Sequence, residues 1–472
     1  MTIHLGLLIA YSILLTVIGL WVGRLVRGSG DFFVAGRALT APLLFSTVLA
    51  ANIGAGTTVG AAGMAYRDGV SAWWWNGTAG LASFVLAFWV GPRIWRLAKT
   101  HGFYTAGDFL EFRYGATVRT IIASLIWVGT LFILAGQLIA GAAVLEVVAG
   151  VPRGTGAAIG AAVMMVYFVA GGLLSSAWVN LVQLVVLFIG FLLAIPTVYA
   201  AVGGLAGIAS APGLPDGFLN PFHTHPTNAV SGWKLLAVYG PSFMISPGLV
   251  QKAYGARDER AVRIGIGMQG LCLLFFSFIP VFFGMAGRVL HPDIASPNLV
   301  LPTVLASDLA PWLGALGLAA VFSAEVSTCD AILFMLSTSL SQDLYKRVFK
   351  RDASDRQVLF VARAAAVAGG AIGVLLATRL NTIVGALTIF YSLVGVSLFV
   401  PVVAGLAGRR GGAPEALASI AAGIATLLAV HLATDGLGYG IFNPNLIGLA
   451  AAAIGFAIVY VARGRQVRVE TV

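Results

Sequence analysis

Thirteen stretches of roughly twenty apolar residues follow one another along this chain, each long enough to cross the hydrocarbon core of a bilayer as a helix. They lie at about 4–26, 42–66, 70–98, 117–149, 155–175, 178–203, 232–253, 260–289, 311–340, 357–379, 382–407, 414–433 and 445–463. Such a chain cannot present a water-solvated surface: 10% of its 472 residues are charged and 59% are hydrophobic, against about 25% charged in soluble domains. Inside lipid every span must satisfy its own backbone, which selects helices. The expectation is an all-α integral membrane protein forming one membrane domain over residues 1–472. The first stretch lacks a basic start and runs on to Arg24 and Arg27, so it reads as a retained helix rather than a secretory signal.

The formal charge of +10 and a pI near 9.9 would suggest nucleic acid in a soluble protein. Threading the thirteen spans from an outer N-terminus explains it differently. Arg67, Arg153, Lys234, Arg288 and Arg379 fall outside, and the remaining Lys and Arg of the 28 fall inside. That asymmetry predicts an N-terminus outside, a C-terminus inside, and the lipid bilayer rather than nucleic acid as partner. A multi-pass protein of the plasma (inner) membrane follows.

Several motifs carry little. Gly265, Gly267 and Gly270 have a dinucleotide-loop spacing, but they sit inside a span with no preceding strand, so helix packing is the better reading. His223 and His225 are close without a plausible zinc set. Trp73, Trp74 and Trp75 read as interface anchors, one of them able to line a vestibule. Asn76-Gly77-Thr78 falls within a helix. Cys272 and Cys329 lie in apolar runs and offer no disulfide framework. No Ser/His/Asp set, His-Glu-x-x-His helix or phosphate loop occurs, so an enzyme is not expected.

Two spans are interrupted. The second reads Ala50-Ala51-Asn52-Ile53-Gly54-Ala55-Gly56-Thr57-Thr58, and the seventh Gly240-Pro241-Ser242-Phe243-Met244-Ile245-Ser246-Pro247-Gly248. Glycine and proline at mid-membrane free backbone groups that lipid cannot satisfy, so these breaks face protein or a water-filled cavity. Breaks at corresponding places in two halves point to a transporter of inverted repeats with its site at the midplane. The ninth span carries Ala324, Ser327 and Thr328 at i, i+3 and i+4, one carbonyl and two hydroxyls on one helix face. Such oxygens suit a hard monovalent cation, although the hydroxyls could equally bond back to their own helix.

With these residues in view, the chain resembles the sodium:solute symporter family, which includes sugar, proline, sialate, monocarboxylate and choline carriers. The resemblance rests on Asp31-Phe-Phe-Val-Ala-Gly-Arg37, on Ala50-Ala-Asn-Ile53 followed by Gly60, Gly63, Tyr66 and Gly69, on Gly171-Gly-Leu-Leu-Ser175, and on Ser327-Thr-Cys-Asp330 leading to Asp343-Leu-Tyr-Lys346. It implies a LeuT-like fold of two five-helix inverted repeats, 42–203 and 232–407, with one helix before (1–30) and two after (414–463). It implies a Na+ site formed by the carbonyls of Ala50, Ile53 and Ala324 and the hydroxyls of Ser327 and Thr328. It places substrate near Asn52, Gly56, Thr57, Asn76, Phe243 and Ser246, with Tyr391 also near.

Departures from the family pattern narrow the expectation. Sugar carriers have an amide where this chain has Thr57 and a carboxylate where it has Asn76, which disfavours hexose. Proline carriers have an aspartate at Asn52. Many members read Trp-x-Asp where this chain has Trp178-Val179-Asn180, which argues for one sodium per solute. Asn180 and Asp330 are assigned to coupling or gating. Glu325 has no counterpart in the pattern. A mid-membrane carboxylate costs about 2.5–3.5 kcal/mol on insertion scales, so it either contacts a cationic substrate or titrates, or sits protonated against a neighbouring helix. The expected function is sodium-coupled import of a small polar solute, such as an amino acid, monocarboxylate or quaternary amine. The rivals are a proton-coupled permease using Glu325, and a membrane sensor, disfavoured because only about nine residues follow the last helix.

Overall fold

A computed structural model of the protein describes residues 3–24, 34–225, 231–408 and 411–463. Asp31, Phe32 and Phe33 of the opening motif, with Arg27, Arg409, Arg410, Arg465 and Arg468 of the charge pattern, lie outside the described residues, as do the side chains of Gly171-Gly-Leu-Leu-Ser175. Among the described residues the chain is all-helical, with two isolated β-bridges and no strand. In order, the helices are α1 (Ile3–Gly23), α2 (Ala41–Asn52), α3 (Ala61–Asp68), α4 (Trp73–Val85), α5 (Gly91–His101), α6 (Ala106–Tyr114), α7 (Ala116–Ala149), α8 (Arg153–Ala201) and α9 (Gly204–Ser210). There follow α10 (Leu235–Met244), α11 (Pro247–Tyr254), α12 (Glu259–Phe276), α13 (Phe278–Leu290), α14 (Val300–Ser307), α15 (Pro311–Thr338), α16 (Asp355–Arg379), α17 (Ile383–Leu406), α18 (Ala413–Ala433) and α19 (Pro444–Ala462).

Among the described residues the thirteen apolar stretches are helical, two of them with a break. Ten runs among the described residues are long and apolar enough to cross a membrane by themselves. The second stretch does not continue as one α-helix: α2 stops at Asn52, Ile53 leaves the helix at φ −91°, ψ 89°, and a wider π-helical turn over Gly56–Gly60 leads into α3. The seventh stops at Met244 and restarts after Ser246 with Pro247 at the head of α11. Proline there lacks only an N–H that a first helical turn leaves unpaired anyway.

One expectation is corrected. The sequence reading ends the fifth span at 175 and starts the sixth at 178, but helix runs without interruption from Arg153 to Ala201. Ser176 and Ala177 give a helix no reason to stop. The two crossings are nonetheless distinguishable by their packing. Gly154 lies against Thr378 and Met165 meets Gly370, so the first half packs along α16. Asn180 lies beside Thr47, Gly190 against Leu316 and Ala320, and Tyr199 against Phe282, so the later half packs on α2, α15 and α13.

The core is built around α15, buried without a gap from Gly317 to Thr338. It packs against α1, α2, α7, α8, α11 and α16, whereas α18 and α19 pack chiefly on each other and on α17. Leucine, isoleucine and phenylalanine exposed on α1, α12, α18 and α19 are the surface expected of helices solvated by lipid. At the end of the bundle where α2 begins, cations gather. Arg37 donates to the carbonyls of Tyr254 (3.1 Å) and Phe103 (2.8 Å), tying the start of α2 to the end of α11. Arg119, almost fully buried, pairs with Asp343, Asp108 (2.8 Å) and Glu111, while Thr105 donates to Asp343. At the same end, Asp258 caps α12. The Ala261 amide, then Arg257, hold its carboxyl below the usual range.

Candidate functional site

The break in the first interrupted helix creates the site. The last helical bond of α2 runs from the Ile53 amide to Leu49, at 2.9 Å. Ala50 is therefore the first carbonyl without a following helical amide. Two hydroxyls of α15 take its place: Thr328 Oγ1 donates to the Ala50 carbonyl at 2.9 Å and Ser327 Oγ approaches it at 3.1 Å. Ser327 Oγ also lies 3.0 Å from the Ala324 carbonyl. Four of the five oxygens expected to hold sodium thus meet in one buried nest, and Ile53, fully buried, sits at the break beside it. The donor set is hard and uncharged, which fits a weakly held alkali cation better than a divalent ion, for which carboxylates are usual. Among the described residues no cluster of His, Cys, Asp and Glu could hold another metal.

A third element secures the break. The Ala55 amide, freed by it, donates to Gln137 Oε1 of α7 at 2.8 Å. Gly54 lies between Gln137 and Thr328: a Cβ there would collide with Thr328 Oγ1 and come within 2.6 Å of Gln137 Oε1. Sequence reasoning missed Gln137. Its signal was present, a lone amide in the middle of an apolar helix, where a polar side chain is costly unless bonded.

The expected substrate residues separate into groups. Asn76 donates to the Thr57 carbonyl at 3.0 Å, and Thr57 bonds back to the carbonyl of Asn52, whose own amide nitrogen is buried without a partner. Gly56 is held against Leu387 and Trp75. Next to them is an aromatic cluster from α4, α10 and α17. Trp75 meets Tyr239 at 4.4 Å between ring centroids, Tyr239 meets Tyr391 at 4.8 Å, and Tyr391 meets Phe243 at 4.9 Å. Ser242 Oγ donates to the Tyr391 carbonyl at 2.5 Å and Tyr239 bonds Thr388 at 2.9 Å, which locks the cluster to α17. Ser246 sits half-buried at the second break. Tyr239 had no distinguishing signal in the sequence, and Trp75 was one of three adjacent tryptophans.

Glu325 faces elsewhere. Its carboxylate lies against α7, where a Cβ at Gly141 would stand 3.0 Å from Oε2, and both oxygens are buried without a hydrogen-bond partner. Asp330 is fully buried on α15, and Asn180 lies beside α2. Asn180 Nδ2 comes within 3.5 Å of Thr47 Oγ1, one helical turn before Ala50. Lys252, counted in the sequence with the inner-loop cations, is instead buried at 1% exposure, its Nζ 2.8 Å from the Thr47 carbonyl and 2.7 Å from Thr47 Oγ1. It lies on the far half of the interrupted seventh span, which carries it into the bundle.

A bundle of apolar helices with two interrupted spans meeting one hydroxyl-bearing helix defines a multi-pass membrane carrier. The model of the sodium:solute symporter family matches residues 32–423, and the chain belongs to that family. It is 28% identical to the sodium/pantothenate symporter of Escherichia coli, over 96% of this chain and 95% of that one. It is 26% identical to the sodium/glucose cotransporter of Vibrio parahaemolyticus, over 79% and 74%. Its fold matches a substrate-bound, outward-open Na+-coupled sialic acid symporter with a TM-score of 0.83 at 18% identity, over 98% of both chains. The fold is that of the LeuT-like transporters, and the relatives are transporters rather than enzymes.

Proposed function

We propose that this protein is a Na+-coupled symporter that carries a small polar organic solute into the cell by alternating access. Residues 42–203 and 232–407 form its two inverted repeats. All thirteen stretches cross the plasma membrane, with the N-terminus outside and the basic end of the bundle facing inward. The nest of Ala50, Ile53, Ala324, Ser327 and Thr328 holds one sodium ion, and solute binds among Asn52, Gly56, Thr57, Asn76, Phe243, Ser246 and Tyr391. The observation that carries this reading is the convergence of two α15 hydroxyls on the carbonyl that the break exposes. Sodium bound there ties α2 to α15 and so orders the adjoining solute pocket.

The driving force is adequate. One charge moved inward across 100 mV gains about 2.3 kcal/mol, and a tenfold sodium gradient adds about 1.4 kcal/mol. Together these sustain a solute gradient of several hundredfold per ion. An amino acid, a monocarboxylate or a quaternary amine is favoured over a hexose because Thr57 and Asn76 depart from the sugar carriers, and the wall of Trp75, Tyr239, Phe243 and Tyr391 adds ring faces for a cationic amine. The E. coli relative named for pantothenate, and the proline and choline carriers among other relatives, set the solute panel. The test is uptake of that panel into proteoliposomes under an inward sodium gradient. Uptake is expected to depend on sodium and to fall at least tenfold in Ser327→Ala and Thr328→Ala; undiminished uptake without sodium contradicts the proposal.

One observation favours a second reading. A buried carboxylate without a partner, Glu325, suits proton coupling, and uptake driven by a pH step in sodium-free buffer, abolished in Glu325→Gln, separates the two.

A further inference from the structure

The helical turns Ser339–Phe349 that follow α15 lead into a stretch that transport leaves unused. Lys346, the last residue of the Asp343-Leu-Tyr-Lys346 motif, opens a run over 346–356 that also holds Arg347, Lys350, Arg351 and Arg356, against Asp352 and Asp355. Lys346, Arg347 and Arg351 line a cleft of about 370 Å³ at the basic end of the bundle, between these turns, the end of α5, α6 and the start of α7. The acids of the cleft are already engaged: Asp108 and Glu111 both pair with Arg119, and Glu111 also lies 3.6 Å from Arg347. Lys346 and Arg351 have no carboxylate partner among the described residues. Apolar side chains stand beside the charges. Phe112, in the wall of the cleft, is 45% exposed, and Phe349, at the end of the turns, is 78% exposed. Two helices packed on the turns, α7 and α16, expose Ile121 and Phe360 within two turns of their starts.

We propose that this cleft binds the headgroup of an anionic phospholipid from the leaflet at the basic end. Basic pockets between spans at the membrane surface attract such headgroups, and a phosphate oxygen supplies the charged acceptor that Lys346 and Arg351 lack. The acyl chains remain in the bilayer, against the apolar surface of Ile121, Phe349 and Phe360. Free phosphate makes no use of that surface, so a lipid is the occupant that both halves of the site fit. The headgroup bridges α6 to the turns that carry Asp343, and Asp343 in turn holds Arg119 of α7. A bound lipid therefore steadies the continuation of the helix that bears Ser327 and Thr328. The proposal rests on the basic end lying at the membrane surface and is independent of what the nest binds.

The experiment follows the Tm of the purified full-length protein in a neutral detergent, without sodium, as phosphatidylglycerol, phosphatidylcholine or inorganic phosphate is added. Wild type is expected to show a saturable rise with phosphatidylglycerol and no comparable rise with the other two. Lys346→Gln/Arg351→Gln is expected to need at least tenfold more phosphatidylglycerol for half of that rise. Arg257→Gln/Arg263→Gln, which removes as much charge from the same end but outside the cleft, is expected to titrate as wild type does. An equal rise with phosphatidylcholine, or with phosphate alone, overturns the proposal in wild type, whether or not the variants fold. An unchanged titration in folded Lys346→Gln/Arg351→Gln, or the same loss in both double variants, overturns it as well.

Discussion

Gly54 shows how narrowly the nest is defined. It stands where α2 has stopped and the wider π-helical turn has not begun, with Thr328 on one side and Gln137 on the other. Neither neighbour can withdraw freely, because Thr328 bonds Ala50 and Gln137 bonds the Ala55 amide. Gly54→Ala is therefore expected to push Thr328 off the Ala50 carbonyl and raise the sodium concentration for half-maximal uptake about tenfold, equivalent to about 1.4 kcal/mol. A sodium titration of uptake reads this; an unchanged half-saturation shows that the nest is not where sodium binds. Much of this site was legible, since Ala324, Ser327 and Thr328 are fixed on one face by helix periodicity and the Gly-rich break announces itself. The partners from α7 and α11 were not. Gln137 and Lys252 reach the site only through tertiary packing, and no local spacing relates position 137 to 55 or 252 to 47.

Among the elements, the breaks and the buried charges at their ends form one system. The two interrupted spans could be read from glycine and proline alone, because those residues remove backbone bonds regardless of context. The junction inside α8 could not, because serine and alanine between two crossings leave helical hydrogen bonding intact while the packing partners change. At the basic end, α6, α7 and the helical turns Ser339–Phe349 that follow α15 are clamped by Arg119 on Asp343, Asp108 and Glu111. Removing one member of a buried pair leaves an uncompensated charge, at a cost of about 3–5 kcal/mol. Arg119→Met is expected to lower the Tm in detergent by far more than Arg263→Met, whose salt bridge to Glu259 is largely exposed. Equal Tm losses show that the Arg119 cluster is not a structural clamp.

For the whole molecule, the all-helical fold was legible from the apolar lengths of the stretches, and the charge asymmetry sets an expected orientation. The sidedness they predict is testable by placing single cysteines in a background lacking Cys272 and Cys329. A cysteine at Thr100, exposed at the basic end, is expected to react with a membrane-impermeant maleimide only after the membrane is opened. One at Asp293, in the loop after α13, is expected to react in intact cells. The reverse pattern inverts the proposed topology. The central claim is that an alkali cation joins the exposed end of α2 to the hydroxyls of α15. A ligand that binds only the folded state stabilises it by about 2.7 kcal/mol at a hundred times its Kd. The direct measurement is the Tm of the purified protein in sodium and in potassium at equal ionic strength. Wild type should unfold at a higher temperature in sodium, and Ser327→Ala and Thr328→Ala should lose that difference. Equal Tm values in the two salts for wild type, or an undiminished sodium effect in both variants, contradicts the claim.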